Sequence, residues 1–426
     1  MSGWPIGAGS SLVAAALVCF SLRRLILLVA AVLPRRPLGT DEVDLPSVTI
    51  VTAARNEGPH VEHLLDALDR LDYPPDSMFT VLVNDCSGDD TGDRLARWAA
   101  GRRRVLFVDL PRRVGKSAAL NEGIAAAPGS ELLAVCDADI RPRPDWLGKL
   151  ARSFADDTVG MASGVLLPRN ADASPVARYA AVESWVHQLV TSTGKDRLDL
   201  NPPAHGASVY RRDALDGIGA FAADGPGEDV RATAALTSVG WRTRFIPDAV
   251  AENTVADGLR DYWQQHLRWA RNVWAAGGAR RGPHRQLRMR RRVEAVMSSL
   301  GYVDRLVFVA ALVLAAAGRL TPWLPGAYLG IAVVEVVVAV AKAGAARRVP
   351  RFVLSTAALF PVDVLASAAA SAAHLTGRPR AWRTASRDQR ALPEGLGRIE
   401  QGFAGQPGGV GLQDGARGGR DVGDPG

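Results

Sequence analysis

A chain of 426 residues has room for one large domain with additions, or for two domains. Its formal charge of +7 suits nucleic acid or an anionic membrane face, but the arginines crowd into one run, "ARRGPHRQLRMRRR" (279–292), just ahead of a long apolar region. That placement reads as the cytoplasmic flank of membrane helices, and no aromatic-interleaved motif supports nucleic-acid binding. Three cysteines, Cys19, Cys86 and Cys136, lack metal-ligand spacing; they speak against a disulfide framework or zinc site and fit a reducing compartment.

The first apolar segment, residues 4–22, is just long enough to span a bilayer, and Arg23 and Arg24 follow it. Carrying the helix through them would set two arginines at mid-bilayer, at about 2.5–3.5 kcal/mol each. The reading is a span ending near residue 22 with "LILLVAAVL" (25–33) at the interface, together an anchor over 1–45. No Lys or Arg precedes the apolar part, which disfavours a cleaved signal peptide.

Residues 46–278 read as an α/β domain. "SVTIVTA" (47–53) is a buried strand, followed by a helix with Val61, Leu64, Leu65, Leu68 and Leu71 at helical spacing. "FTVLVND" (79–85) is a second strand and "DDTGDRLARWAA" (89–100) a helix opened by an aspartate cap. "RVLFVDL" (104–110), a helix from Ser117 and "ELLAVCD" (131–137) repeat the cycle. Such alternation predicts a mostly parallel, Rossmann-like sheet with ligands at the carboxyl ends of its strands.

Residues 279–376 hold the basic run and three apolar stretches of near-spanning length, about 301–318, 325–343 and 352–374. Asp304, Glu335 and Asp363 within them must look toward protein or an interface. The third, interrupted by Pro361 and Asp363, reads as re-entrant or interfacial. The tail, 377–426, is basic and then glycine-rich, with the composition of a largely disordered segment.

Each early strand ends on polar residues: Asn56 and Glu57, then Asp85, then Asp137 and Asp139 in "CDAD". Carboxylates gathered at one edge repel unless a cation or hydrogen-bond donors share the site. An Asp-x-Asp at a strand end suits Mg²⁺ or Mn²⁺ completed by phosphate oxygens, though solvated loop aspartates or helix caps have the same spacing. "VGKS" (114–117) is not a phosphate-binding P-loop, because Leu110 stands where its first glycine belongs.

Taken in order, "TAARNE", "VNDCSGDDT", "GKSAALNEG", "CDAD" and the late pair "GED" and "QHLRW" resemble the donor domain of family 2 glycosyltransferases. These GT-A enzymes include processive β-glycan synthases and ceramide glucosyltransferase. The resemblance covers roughly residues 46–275. It implies that Asp85 contacts the nucleotide base, Glu57 belongs to the nucleotide-contacting turn, and Lys116 and Asn121 approach the donor. It places Asp137 toward the nucleotide-sugar and Asp139, with Asp137, on the metal bridging the diphosphate. Asp229 matches the catalytic base and Glu228 beside it an acceptor-orienting residue. Arg268 would hold the diphosphate, and Gln265 and Trp269 would line the acceptor path. Gly227 stands where many relatives carry a hydroxyl residue, and His205 opens a "HGASVYRRDAL" segment in which a structural hydrogen bond fits it better than an acceptor contact.

The resemblance thus implies a membrane-anchored, inverting, metal-dependent glycosyltransferase using a nucleotide-diphospho-sugar, most naturally a UDP-sugar, with its catalytic domain in the cytosol and a lipid or membrane-associated glycan as acceptor. The alternatives are a processive polysaccharide synthase, a non-catalytic membrane scaffold that keeps the fold, and a sugar-phosphate nucleotidyltransferase, for which "TAARNEG" supplies no glycine-rich basic signature.

Overall fold

The computed structural model of the protein describes residues 7–33, 44–223, 227–279, 289–375 and 399–400. The chain opens with helix α1 (Ala8–Val32). Four strands then alternate with helices: β1 (Val48–Ala54), α2 (Gly58–Leu68), β2 (Met78–Asn84), α3 (Thr91–Ala99), β3 (Val105–Asp109), α4 (Lys116–Ala126) and β4 (Leu132–Cys136). Their β-branched runs are buried nearly end to end, as parallel strands covered on both faces must be. Alternate residues serve opposite layers. Val48 and Ile50 pack with Leu64 and Leu68 of α2, while Val51, Val81 and Val83 pack with Ala119, Leu120 and Ile124 of α4.

The second half adds β5 (Arg141–Pro142), α5 (Trp146–Ala151), β6 (Val159–Pro168), α6 (Pro175–Trp185), a π-helical turn (Val186–Ser192) and α7 (Thr193–Arg197). Next come β7 (Ala207–Arg211), α8 (Arg212–Gly217), α9 (Glu228–Ser238), β8 (Arg242–Asn253) and α10 (Leu259–Ala279). The sheet order is β5-β8-β6-β7-β4-β1-β2-β3-β9, where β9 (Ile399–Glu400) adds an antiparallel pair to β3. The remainder of the 377–426 tail lies outside the described residues. The sheet is mostly parallel, as expected, but β7 runs antiparallel between β4 and β6. That inversion lays Ala207 beside Cys136 and brings the preceding loop against the end of β4.

The basic helix α11 (Met289–Ser299) and the apolar helices α12 (Val303–Ala316), α13 (Trp323–Lys342) and α14 (Val349–Leu375) follow. Among the described residues, three segments, Ala8–Val32, Trp323–Lys342 and Ala346–Ala372, are long and apolar enough to cross a membrane. Three expectations change here. First, α1 does not stop at residue 22 but runs unbroken through Arg23 and Arg24. Arg23 bonds Glu294 at 2.6 Å, and Arg24 bonds Asp304 at 2.8 Å and pairs with Glu335, so the arginines meet carboxylates instead of lipid. Second, the stretch near 301–318 forms a helix of only 14 residues, roughly 21 Å long against a hydrocarbon core of about 30 Å. It reaches spanning length only when joined to α11 across a 71° bend. Third, α14 continues through Pro361 and Asp363. Asp363, fully buried, meets Arg305 instead of an interface. The arginine run also reaches the α/β part: Arg290 and Arg291 bond Asp199, while residues 280–288 lie outside the described set.

The membrane-type helices are not a separate body. Leu28 and Ala31 of α1, Val336 and Val340 of α13 and Phe352 of α14 share one core with Trp185 of α6 and with Val165 and Phe245 of the sheet. Gly194 in α7 lies so close to α1 that a Cβ there would sit 2.4 Å from the Leu27 carbonyl oxygen.

Candidate active site

The loops after β1 and β2 are stitched together by short polar side chains. Thr91 Oγ1 accepts from the backbone N–H groups of Glu57 and Gly58, at 2.9 and 2.8 Å, and donates to Asp89 at 2.6 Å. Asp89 also accepts from the Thr91 N–H, so the aspartate at the start of α3 does cap it, one residue before its formal N-cap. Asn56, at φ +53°, accepts from Gly88 N–H at 2.7 Å. Asp85 is buried, and its two oxygens accept from the N–H groups of Val114 and Gly115 at 2.7 and 3.0 Å. It thereby fixes the loop that delivers Lys116 as the first residue of α4.

At the end of β4, Ala138 turns into the core while Asp139 is exposed and Asp137 half-buried, so the pair shares one edge. The β7 loop closes over Asp137. Its N–H donates to the Gly206 carbonyl at 2.7 Å, and a Cβ on Gly206 would lie 2.2 Å from Asp137 Oδ2. Only glycine fits there. His205 holds that loop, with Nε2 on the Gly164 carbonyl at 2.7 Å and Nδ1 accepting from Ala207 N–H. Burial pushes its imidazole down to about 4, so the ring is a neutral structural bracket.

Lys116 ties the site together, with Nζ 2.7 Å from Asp137 and 2.5 Å from Glu228. Burial opposes its charge, but Asp137, Glu228 and Asp229 together hold the ammonium well above its ordinary range. Glu228 and Asp229 open α9 from Gly227, whose left-handed backbone (φ +78°) favours glycine at the entry to the helix.

The carboxylates are under-neutralised. Burial, and then the charges of Asp139 and Asp137, lift Glu57 to about 7. Burial lifts Asp137 to about 7 despite Lys116, helped by Asp139 and Glu228. Asp229 rises to about 6 through burial and Glu228, although it accepts from the Val230 N–H at 2.8 Å. One lysine against Glu57, Asp137, Asp139, Glu228 and Asp229 leaves a site whose chemistry asks for further positive charge, and its oxygen-only acidic donors suit a hard divalent cation.

On α10, Arg268 is half-buried and within the field of Glu228 and Asp139, with burial lowering its pKa. Trp269, 43% exposed, sets its ring edge-on to His266 at 5.2 Å, and Gln265 is half-buried one residue earlier. The structure therefore gathers Glu57, Lys116, Asp137, Asp139, Glu228, Asp229 and Arg268 into one electrostatic neighbourhood. Asp85 stands behind them as a loop anchor, and Asn121 is turned away, exchanging hydrogen bonds with the Phe221 backbone. Sequence reasoning passed over Thr91 and His266, both buried. A polar residue at a non-motif position inside an apolar helix face was the available signal for the latter.

Residues 49–219 match the family model described as glycosyl transferase family 2. An N-acetylglucosaminyltransferase of Bradyrhizobium diazoefficiens is 29% identical over 247 residues, covering 56% of this chain and 51% of that protein. A probable glycosyltransferase, YdaM, of Bacillus subtilis is 27% identical over 233 residues, covering 54% and 55%. The chain thus spans about half the length of these curated relatives. Among solved structures, mannosyltransferase PcManGT from Pyrobaculum calidifontis, in complex with GDP-Man and Mn²⁺, superposes with a TM-score of 0.62 at 23% identity, covering 86% of this chain and 99% of that one. That likeness extends the shared fold past the catalytic sheet. Residues 49–219 form a glycosyl transferase family 2 domain on a GT-A sheet.

Proposed function

We propose that this protein transfers a sugar, with inversion, from a nucleotide-diphospho-sugar to a lipid or glycan acceptor at the membrane. The observation that carries the reading is the convergence of five carboxylates with Lys116 and Arg268 at the carboxyl ends of β1 and β4 and the start of α9. Asp229 takes the proton of the incoming hydroxyl as the bond to the anomeric carbon forms. Its pKa of about 6 leaves it mostly ionised near neutrality yet basic enough to accept. Arg268 and Lys116 face the departing diphosphate, and Glu57 and Asp85 shape the nucleotide side. Asp139 and Asp137 would hold Mg²⁺ or Mn²⁺, which when bound supplies charge neutralisation on the diphosphate. Trp269 offers a face for a sugar ring or acyl chain beside Gln265 and Glu228.

The donor is read as a UDP-sugar, and the relatives' names make UDP-N-acetylglucosamine the first to try. Because such donors are cytosolic, the domain faces the cytosol. The three segments long and apolar enough to cross a membrane among the described residues favour single transfer over a wide polysaccharide channel. The test is mass spectrometry of products from membranes that express the protein and receive labelled UDP-sugars. A labelled glycan or glycolipid absent from Asp229→Asn membranes supports the reading. No new product with any nucleotide-sugar leaves the scaffold alternative standing.

A further inference from the structure

A second cluster of charges lies on the other side of α10, outside the donor site. His266 is 3% exposed; its Nε2 is 2.9 Å from Glu183 and its Nδ1 is 3.0 Å from the Tyr262 carbonyl oxygen. A carbonyl only accepts, and so does an ionised carboxylate, so both ring nitrogens carry hydrogen. Glu183 is kept ionised by two further donors, the Tyr262 hydroxyl at 2.7 Å and Arg305 at 3.4 Å. The imidazole also stacks on the Tyr262 ring at 3.8 Å, a contact that favours a cation.

The cluster does not end there. Arg305 of α12 bonds Asp363 of α14, which the Tyr179 hydroxyl also reaches at 3.4 Å. Arg305 approaches Asp304 too, which Arg24 and Tyr328 share. Glu183, His266 and Asp363 have the residue types of a metal site. Arg305 and the imidazolium already supply the positive charge there.

We infer that His266 is a positioning residue, a cationic clasp that locks α10 to α6 and to the membrane-type helices so that Arg268 and Trp269 are presented to the donor site. The inference rests on the reading of α10 as part of the transfer site. The groups facing the ring are Glu183 on α6, Asp363 on α14, and Tyr262 and Trp269 on α10 itself, with Arg305 on α12 and Tyr179 on α6 behind them against Glu183 and Asp363. Burial lowers the pKa of His266, but Glu183 and then Asp363 overcome it and leave the value raised above 6.5. A histidine raised on folding gives its full stabilisation below its unfolded pKa and loses it as pH rises through the folded one.

The test is hydrogen exchange by mass spectrometry on the full chain in detergent, comparing peptides over 259–279 with peptides over β1. It uses the wild type, His266→Gln and Glu183→Gln near pH 6.5, and the wild type again near pH 9. Relative to β1, α10 should open about tenfold more readily in both variants, and the wild type near pH 9 should approach them. The double variant should be no worse than the worse single one, because the two residues act as one unit. The turnover of His266→Gln should fall in step with its lost protection. Equal protection of α10 in His266→Gln and wild type near pH 6.5 overturns the clasp, and lost protection with unchanged turnover overturns the positioning role. A wild type that transfers no sugar overturns the proposed function instead, and the exchange comparison then decides the clasp alone.

Discussion

The proposed donor site and the clasp behind α10 both gather carboxylates around a few cations, yet they are balanced in opposite ways. At the donor site Lys116 faces an excess of acids, and Glu57, Asp137 and Asp229 are all pushed up. In the clasp, burial also works against Glu183, but His266 and Arg305 more than offset it and hold that carboxyl below its ordinary value. Residual charge marks a place where something must bind, and closed charge balance marks a joint. Clusters of carboxylates and cations can therefore mean different things, and the balance among neighbours separates them.

The harshest way to break that comparison is to remove the carboxylate proposed to hold the metal. Asp139→Ala, or excess chelator on the wild type, should drop transfer to background, with Mg²⁺ or Mn²⁺ restoring the chelated enzyme. Full activity in chelator would show that Lys116 and Arg268 suffice. Asp229→Asn should lower turnover by about 10²–10⁴-fold while UDP affinity, measured by titration, stays nearly constant. If UDP affinity collapses, Asp229 belongs to the donor side.

On the joint side, Arg24→Met leaves Glu335 without its cation and Asp304 with only Arg305 and the Tyr328 hydroxyl, and should destabilise the protein by about 3–5 kcal/mol in denaturant titrations. It should leave nucleotide affinity alone, and unchanged stability would mean the pair is already closed by other donors. Arg268→Ala should cost about 3 kcal/mol in the transition state, read as kcat/KM, whereas Trp269→Ala should weaken the acceptor and spare donor hydrolysis. Matching kinetic profiles for the two would merge their roles. The gentlest probe is pH. Asp229 acts only when ionised, so turnover should fall about tenfold for each unit below its pKa of about 6, and that limb should vanish in Asp229→Asn.

Much of the donor site was legible because its parts are local. "CDAD" ends a strand and "GED" opens a helix, and each places its acids by short-range geometry alone. Of the segments that carry the family resemblance, those after β1 and β4 and at the start of α9 come together around Lys116, whereas Asn121 faces the Phe221 backbone. What stayed hidden depends on partners far along the chain. Arg23 and Arg24 argued for the end of a span because Glu294 and Glu335 stand 271 and 311 residues away, and no local window shows a salt bridge. The antiparallel β7 escaped for a related reason: its direction is set by pairing with β4 and β6, and not by its own composition.

The pairing of Arg23 and Arg24 also bears on how the protein is made. At about 5–20 residues per second, the ribosome needs on the order of 15–60 s between α1 and the last of its partners. During that interval α1 carries two uncompensated arginines, so its first residence in the bilayer is shallow, with both side chains reaching for the headgroups. The final depth of α1 is then set late, when α11, α12 and α13 arrive. Nascent chains arrested before Met289 should leave residues near Arg23 open to aqueous cysteine reagents, and full-length chains should close them off. Equal labelling at both lengths would mean that the helix takes its final depth alone.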